Sequence, residues 1–450
     1  MKMIHRISLW PLAFLVAFAS LLPLPAAEPG KISISVIPDR KDALYKTGEL
    51  VRFQIEVKDA DGQALDWGSV HCSFSDDHYK TTEEQTLTLT GKALEVSGKL
   101  DRPGFLQCEV GFEPGERALE EKVKPGLGAA AVSPGEISPS REVPVDFWAF
   151  WESQKQRLAE VPIEAAMKKV ADATTDGVEL FDTQVTCLDG VPVSGYFARP
   201  QGAKPHSLPI VLWVHGAGVR SSTIANAVNG AKEGFLSMDI NAHGIANGQP
   251  KEFYDQLYGK EGPLFQYPSQ GRENRDSVYF KSMFLRLVRA VDFLAAQPEW
   301  DGKTVAVIGN SQGGAQALVA GGLDDRVTFI GAGVPAMCDH TGMLRNRISG
   351  WPKLVPLLAD GKPDPVIAEI SRYYDAVNFA ARCHAEAVVS VGFIDRTCPP
   401  TSVYAAYNQL KGKKSIINKP AMGHAGPADI QAAFFAALKS HVAKKSGGQN

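Results

Sequence analysis

The stretch 305–314, Val-Ala-Val-Ile-Gly-Asn-Ser-Gln-Gly-Gly, constrains the fold of this chain more than any other. Four apolar residues, enough for a buried strand, lead into a Gly-x-Ser-x-Gly pattern, and small residues compatible with a helix follow. The pattern alone is common in a chain with 42 glycines, so its strand-turn-helix context carries the argument. This context predicts a nucleophile elbow that presents Ser311, and the alternative is a glycine-rich loop with a capping serine.

The length and the charge of the chain limit its class. A chain of 450 residues is long enough for two domains and a large core. Its 47 basic and 50 acidic residues give a formal net charge of -3, and no run of lysine or arginine stands out. We therefore predict no nucleic-acid partner.

The first 27 residues have the pattern of an export signal. Lys2 and Arg6 precede an apolar run at about 9–22, and small residues at 23–27 end it. Cleavage there would leave a chain that begins around Glu28. The alternative is an uncleaved anchor helix, but the apolar run is short for a bilayer span. We predict a secreted or periplasmic protein with no stable membrane span in the mature chain.

Residues 28–126 predict a small all-β domain. Short runs that alternate between apolar and polar residues, such as 31–37 and 50–57, are separated by turn residues. Their spacing indicates an antiparallel sandwich of immunoglobulin-like size. No cluster of polar side chains converges in it, so it reads as an accessory domain. Trp67 or Tyr79 could bind carbohydrate there, and the simpler alternative is a packing role.

The six cysteines leave one question open. Cys72 and Cys108 lie in strand-like segments of the same small domain, and export permits disulfides. A bridge between them and two buried thiols are both compatible with the sequence. No cysteine has metal-ligand spacing and no dinucleotide-binding pattern occurs, so we predict neither a metal nor a cofactor.

The remaining chain changes character. Residues 127–140 are rich in small residues and helix breakers and are predicted to be a linker. Residues 141–450 begin with a helix and a hairpin. After these, apolar runs alternate with helical segments. The apolar runs lie at 210–214, 235–240, 305–308, 328–330, 387–391 and 415–417. Runs that are apolar throughout indicate strands covered on both faces. The fold class is therefore α/β, with a mostly parallel, doubly wound sheet.

A serine nucleophile needs a histidine base, and four histidines follow Ser311. His441 lies on the polar side of the last helix and is predicted to be solvated. His384 precedes a strand, which is the wrong end, and His340 comes early. His424 lies in a glycine-flanked loop between the last strand and the last helix, so we predict that it is the base.

The acid that orients the base should follow a neighbouring strand. Asp395 comes directly after the apolar run 387–391, and active groups in such sheets gather at the carboxyl ends of strands. Arg396 beside it offers the alternative of a surface ion pair. The oxyanion hole needs two N–H groups, and we predict the backbone of Gln312 and of Ala217. His215, close to Ala217, is predicted to be structural.

Several motifs together resemble one family. They are Gly-Asn-Ser-Gln-Gly-Gly at 309–314, Gly-Phe-Ile-Asp-Arg-Thr-Cys-Pro-Pro at 392–400, Tyr-Ala-Ala-Tyr-Asn at 404–408 and Gly-His at 423–424. From about residue 145 onward, with the Phe147-Trp148 helix and 373–380, the chain resembles the acetyl-xylan esterase and cephalosporin-C deacetylase family of α/β-hydrolases. The resemblance implies a triad of Ser311, Asp395 and His424 that removes acetyl groups from carbohydrate such as xylan or xylo-oligosaccharide. It also implies a homo-oligomer.

Two departures from the family bear on substrate preference and assembly. Residues 239–248 replace its Arg-Gly-Gln motif, and Ala217 stands where it has tyrosine. His243 could then belong to an altered substrate rim or stabilise the loop. The sandwich is a further addition. Other readings are another esterase or a peptidase on this fold, and a non-catalytic carbohydrate-binding or scaffold protein, which the intact triad argues against.

Overall fold

The computed structural model describes residues 32–447, except 118, 120 and 172–175. The predicted export signal, residues 1–27, lies outside the described residues. Within them, no helix combines the length and apolar character that crossing a membrane requires.

The N-terminal region folds as an all-β sandwich, as predicted. Its strands in the described residues are β1 (Ser33–Pro38), β2 (Leu44–Tyr45), β3 (Val51–Lys58), β4 (Ser69–Asp76), β5 (Lys80–Thr88), β6 (Leu94–Gly98), β7 (Gly104–Glu113) and β8 (Gly126–Val132). They form a three-stranded sheet, β1-β3-β6, and a five-stranded sheet, β2-β8-β7-β4-β5. Alternate residues of β3 are buried and exposed, so one face of each strand supplies the core between the sheets.

The predicted linker at 127–140 is wrong over its first six residues, which form most of β8. This strand pairs with β7 along its length and packs against β1. Its small residues, which suggested a linker, are there because the strands lie close together. A Cβ atom at Gly128 would lie 2.7 Å from the carbonyl oxygen of Val36, and one at Gly126 would lie 2.6 Å from the Ile34 side chain.

Cys72 and Cys108 are free, buried thiols on the neighbouring strands β4 and β7. Cys72 is paired with Val110, and Cys108 with Phe74, so the two cysteines are diagonal neighbours. Burial raises the pKa of the Cys72 thiol to about 11. Of the two readings left open by the sequence, the structure has the buried thiols.

The C-terminal domain contains one large sheet with helices on both faces. Its strands are β9 (Ala165–Lys169), β10 (Val178–Val185), β11 (Val193–Pro200), β12 (Leu208–Val214), β13 (Leu236–Ile240), β14 (Trp300–Asn310), β15 (Phe329–Gly333), β16 (Glu386–Gly392) and β17 (Lys414–Lys419). Its helices are α1 (Phe147–Ala159), α2 (Ile224–Lys232), α3 (Lys251–Tyr258), α4 (Phe280–Ala295), α5 (Gln312–Leu323), α6 (Pro365–Ser371), α7 (Ala376–Ala380), α8 (Pro400–Gln409) and α9 (Ala428–Gly447).

The strand order is β17-β16-β15-β14-β12-β13-β11-β10-β9. The six strands from β17 to β13 are parallel, and β11, β10 and β9 form an antiparallel edge. Val305 and Val307 point into the core beneath α4 and α5, whereas Ala306 and Ile308 point into the core beneath α9. The predicted α/β class with a mostly parallel, doubly wound sheet is confirmed.

The sandwich packs directly on the C-terminal domain. Residues of β7 alternate between the two cores because Leu106 faces the sandwich while Phe105 faces the other domain. The Phe105 ring meets Phe393 edge-on at 5.0 Å and lies 5.7 Å from Tyr404. Both faces of β7 are therefore buried, which joins the two domains through a shared apolar layer.

Candidate active site

Ser311 occupies a strained turn between β14 and α5. Its φ of 57° and ψ of -121° lie in a region that side chains rarely adopt. A Cβ atom at Gly309 or Gly313 would lie 2.4 Å or 2.3 Å from the carbonyl oxygen of Val214. Glycine on both sides is thus needed for the turn to pass beside β12, as the sequence pattern predicted.

Backbone hydrogen bonds hold this turn in place. The Ser311 N–H donates to the carbonyl oxygen of Gly333 at 2.8 Å. The Ser311 carbonyl oxygen accepts from the N–H groups of Ala315 and Ala336, both at 3.0 Å. The strain is therefore balanced by contacts to β15 and to the first turn of α5.

His424 and Asp395 lie beside Ser311. His424 follows β17, and its Nε2 atom is 3.0 Å from the Ser311 Oγ. Its Nδ1 atom is 2.8 Å from the Asp395 Oδ2. Because the carboxylate accepts a hydrogen bond from Nδ1–H, Nε2 is left as the acceptor facing the serine hydroxyl. The three residues predicted from sequence form one hydrogen-bonded chain.

Asp395 is held rigidly in the loop after β16. Its side chain is fully buried, whereas that of His424 is 29% exposed. The Asp395 Oδ1 atom accepts from the backbone N–H groups of Thr397 at 2.8 Å and Cys398 at 2.9 Å. Arg396 pairs instead with Glu109 of the sandwich. The carboxylate is thus oriented by its own loop and not by the neighbouring arginine.

The two predicted oxyanion donors lie on the loops that border Ser311. Gln312 is the first residue of α5, and Ala217 lies in the loop that follows β12. Among the described residues, neither backbone N–H donates to a protein acceptor. Both N–H groups are therefore without a protein acceptor in the described residues, and their role as donors to an oxyanion stays a prediction.

A model of the acetyl xylan esterase (AXE1) family matches residues 135–441, more than half of the chain. The chain belongs to the acetyl xylan esterase family. Acetyl esterase Axe7A of Xylanibacter ruminicola is 32% identical to it over 392 residues, which are 86% of each chain. As a member of this acetyl esterase family, the protein is a serine esterase.

Solved structures agree with this assignment. An acetyl xylan esterase from Paenibacillus sp. R4 superposes with a TM-score of 0.60 at 26% identity, covering 68% of this chain and 98% of its own. Acetyl xylan esterase 1 from Thermoanaerobacterium sp. JW/SL YS485 shares the fold, with a TM-score of 0.56, 23% identity and coverage of 68% and 97%. Nearly all of each esterase thus matches about two thirds of this chain. The match to Axe7A covers 86% of this chain and therefore extends into the sandwich, so the sandwich is an addition to the two superposed esterases and not to every member of the family.

His215 holds the loop that bears Ala217. The His215 Nε2 accepts from the Ala242 N–H at 3.1 Å, and its Nδ1 lies 2.6 Å from the Gly216 carbonyl oxygen. Burial lowers the pKa of His215 to about 4, and the positive charge of the nearby Arg220 makes a smaller contribution in the same direction. His215 is therefore a neutral structural residue, in line with the prediction.

Tyr267 and His243 also hold the loop that bears Ala217, through hydrogen bonds to Gly218. Tyr267 was not identified from the sequence. The Tyr267 hydroxyl donates to the Gln312 side chain at 2.7 Å and accepts from the Gly218 N–H at 3.4 Å. The His243 Nε2 donates to the Gly218 carbonyl oxygen at 3.1 Å, and its Nδ1 accepts from the Tyr279 hydroxyl at 2.6 Å. No motif marks Tyr267, because it lies in an irregular segment far from Gln312 in sequence.

The segment 239–248 folds on itself. The Asn241 Oδ1 accepts from the N–H groups of His243 and Ile245, and its Nδ2 donates to Asn247 at 2.9 Å. His243 is only 3% exposed. Of its two proposed roles, the structure therefore supports loop stabilisation, and a place in the substrate rim is contradicted by its burial.

Of the four histidines that follow Ser311, only His424 forms a hydrogen bond with it in the described part of the chain. His441 was predicted to be solvated, and this is wrong. It is 7% exposed, with Nδ1 2.9 Å from the Glu386 carboxylate and Nε2 3.1 Å from the Thr328 hydroxyl. His340 is buried, and burial lowers its pKa to about 4. His441 is buried because its side of α9 packs on the sheet.

One group within the described residues has the donor types and spacing of a metal site. Its ligand atoms on Asp395, Cys398 and His424 lie within 4.8 Å of one another. Asp395 and His424, however, bond each other, and the third donor is the buried thiol of Cys398. Burial raises the pKa of that thiol, which keeps it neutral. Because the carboxylate and the imidazole bond each other and the thiol is neutral, we assign no metal to this group.

Proposed function

We propose that this esterase removes acetyl groups from acetylated carbohydrate, such as xylan or xylo-oligosaccharide, through Ser311, His424 and Asp395. The observation that carries the proposal is the hydrogen-bonded chain from Ser311 Oγ through the His424 ring to Asp395, with links of 3.0 Å and 2.8 Å. A serine hydroxyl becomes an effective nucleophile only when such a base removes its proton.

In the first half of the reaction, Ser311 attacks the carbonyl carbon of the acetyl ester. His424 Nε2 takes the hydroxyl proton, and Asp395 stabilises the imidazolium that forms. The backbone N–H groups of Gln312 and Ala217 donate to the oxygen that becomes negative in the tetrahedral intermediate. When this intermediate collapses, His424 gives the proton to the sugar oxygen, and the acetyl group stays on Ser311.

In the second half, water replaces the sugar. His424 takes a proton from the water molecule as it attacks the acetyl-enzyme, and the same N–H groups hold the second oxyanion. Collapse returns the proton from His424 to the Ser311 oxygen and releases acetate. Because His424 is partly exposed beside Ser311, water and a sugar hydroxyl can both approach its Nε2.

The family supports the acetyl group, and the names of the relatives support carbohydrate. Two of the superposed proteins are described as acetyl xylan esterases. The alternatives are another ester, a peptide, or a non-catalytic role in binding carbohydrate. Fold alone does not choose among substrates, so this part of the proposal depends on assay.

The test compares substrates and one variant. The chain starting at Glu28 should hydrolyse p-nitrophenyl acetate and release acetate from acetylated xylan, and it should leave peptides intact. Ser311→Ala should lower kcat by roughly four to six orders of magnitude, whereas the exposed Ser33→Ala should not. Full turnover by Ser311→Ala would refute the nucleophile. Activity on peptides alone would favour the peptidase, and xylan binding without turnover would favour the scaffold.

We also propose that the protein is exported, on the basis of residues 1–27. Expression of the full chain in a bacterium, followed by fractionation and N-terminal sequencing, tests this. The expected product lies outside the cytoplasm and begins near Glu28. A cytoplasmic product that retains Met1 would contradict export.

A further inference from the structure

A cleft of about 700 Å³ lies between the sandwich and the 343–357 loop of the C-terminal domain. One wall belongs to β4, β5 and the turn that joins them. The opposite wall is the 343–357 loop together with Arg396, the residue after Asp395. The triad chemistry does not use this cleft, yet the cleft borders the loop that carries the catalytic acid.

The sandwich wall is lined by hydroxyl groups. Ser73 and Ser75 alternate along β4, and Thr81 pairs with Ser75 on β5. Phe74, between the two serines, is 1% exposed in the sandwich core. Because successive side chains of a strand point to opposite faces, both serines face outward, into the cleft. This wall therefore offers three hydroxyls, each able to donate and accept.

A strained turn presents a tyrosine to the cleft. Asp77 and His78 join β4 to β5 with φ values of 51° and 58°, a conformation that usually requires glycine or asparagine. The Asp77 carboxylate accepts a hydrogen bond from the Thr401 hydroxyl of α8, which fixes the turn to the C-terminal domain. Tyr79, the next residue, lines the cleft and is 42% exposed.

The structure also distinguishes the two aromatic residues considered for carbohydrate binding. Trp67 packs edge-on against Phe112 at 5.3 Å, and the Arg117 guanidinium lies 4.2 Å above its ring. Its faces are therefore partly covered by protein groups. Tyr79, by contrast, lines a cleft that could hold a ligand.

Of the charged residues that line the cleft, Arg396, Glu109 and Arg347 form ion pairs, whereas Lys353 forms none with the described residues. Arg396 forms an ion pair with Glu109 across the domain boundary, and Arg347 lies 3.0 Å from Asp339. The loop wall is tied to the acid loop because the Trp351 N–H donates to the Thr397 carbonyl oxygen at 2.7 Å. Paired charges, hydroxyls and one exposed ring suit an uncharged, hydroxyl-rich ligand better than an ionic one.

We propose that this cleft is a subsite for sugar residues of the acetylated chain, remote from the acetyl group that is removed. The inference rests on the proposed function. Sugar rings present C–H groups that pack on the face of Tyr79, and their hydroxyls bond Ser75 and Thr81. The sandwich then adds binding for a long substrate without entering the chemistry.

The test separates long substrates from short ones. Tyr79→Ala and Thr81→Val are compared with Ile37→Ala, an exposed apolar residue on the other sheet. KM for acetylated xylo-oligosaccharides should rise about three- to ten-fold in the two cleft variants. Their kcat/KM for p-nitrophenyl acetate should match that of the wild type, which also shows that they fold. Ile37→Ala should change neither value.

Binding gives a second measurement. In the Ser311→Ala background, Tyr79→Ala should weaken retention by acetylated xylan in affinity electrophoresis. Unchanged KM and unchanged retention, in a wild type that is active on xylan, overturn this inference alone. A wild type that hydrolyses p-nitrophenyl acetate but releases no acetate from xylan overturns the proposed function, and this inference with it.

Discussion

The side-chain amide of Gln107 donates a hydrogen bond of 2.7 Å to the backbone carbonyl oxygen of Phe393. Gln107 belongs to β7 of the sandwich, and Phe393 precedes Asp395, the proposed acid, by two residues. Gln107 is 1% exposed, so the bond is shielded from water. The accessory domain therefore contacts the backbone of the loop that orients the proposed base.

Loss of this hydrogen bond should destabilise the loop that carries Asp395. Gln107→Leu leaves the Phe393 carbonyl oxygen buried without its partner, which should cost about 1–3 kcal/mol of unfolding free energy. We expect kcat to fall as well, because the position of Asp395 depends on that loop. Urea denaturation and p-nitrophenyl acetate kinetics measure the two effects. The control is Gln54→Leu on an exposed site of β3, and equal stability of the two variants would contradict the bracing role.

Tyr267 should support the oxyanion loop without taking part in the reaction. Tyr267→Phe removes the hydroxyl that joins the Gln312 side chain to the Gly218 N–H. We expect kcat to fall about ten-fold, less than when an oxyanion donor itself is removed, while KM changes little. Tyr258→Phe, at a half-exposed tyrosine, is the matched control. A rise in KM with unchanged kcat would instead indicate a substrate contact.

The strand nature of β8 can be tested with alanine. Gly128→Ala places a methyl group against Val36 in a packed layer, which should destabilise the protein by about 1–3 kcal/mol. Gly135→Ala, where a Cβ atom has no neighbour within 4 Å, should be close to neutral. Urea denaturation compares them. If Gly128→Ala proved as harmless as Gly135→Ala, residues 127–132 would behave as the linker first predicted.

Buried histidines should make stability depend on pH. Burial lowers the pKa of His340 to about 4, below its usual value of about 6.5. Between these values the unfolded chain binds a proton and the folded chain does not, so stability falls as the pH drops through this window. His340→Gln should remove this contribution and make the curve less steep by up to about 1.4 kcal/mol per pH unit.

The effect of His340 is measured as the difference in unfolding free energy between the variant and the wild type at each pH, because other buried groups also titrate. Burial raises the pKa of Asp239 and Asp375 to about 7, and their contribution has the opposite sign because it falls as the pH rises. Urea denaturation at several pH values from 4.5 to 7.5 gives the difference. His206→Asn, on an exposed turn, is the control. Parallel curves for His340→Gln and wild type would show that His340 does not titrate in this way.

The candidate triad was predictable because local rules determine where its parts lie. A Gly-x-Ser-x-Gly turn after a buried strand leaves little freedom for Ser311. Parallel strands end at the same edge of a sheet, so residues that follow β16 and β17, such as Asp395 and His424, arrive beside it. The alternating runs of the sandwich and the continuous runs of the C-terminal domain likewise predicted the two fold classes.

Other features depend on contacts between distant segments. The small residues of β8 have the composition of a linker, and only the nearness of β1 explains them. The helical pattern of α9 alone predicted that His441 faces solvent, but its side chain hydrogen-bonds Glu386 and Thr328 on the sheet side. A one-dimensional pattern contains no information on which surface a second element will cover.

The sequence by itself determined the candidate chemistry of this protein: a serine on a glycine turn, a predicted acid and base at strand ends, and the motifs of an acetyl xylan esterase. Only the tertiary structure decided what surrounds them. Gln107 and Phe393 are 286 residues apart, and Tyr79 lines a cleft whose opposite wall is the 343–357 loop of the other domain. Such contacts follow from how two packed domains fit together, and burial of a shared apolar layer drives that fit.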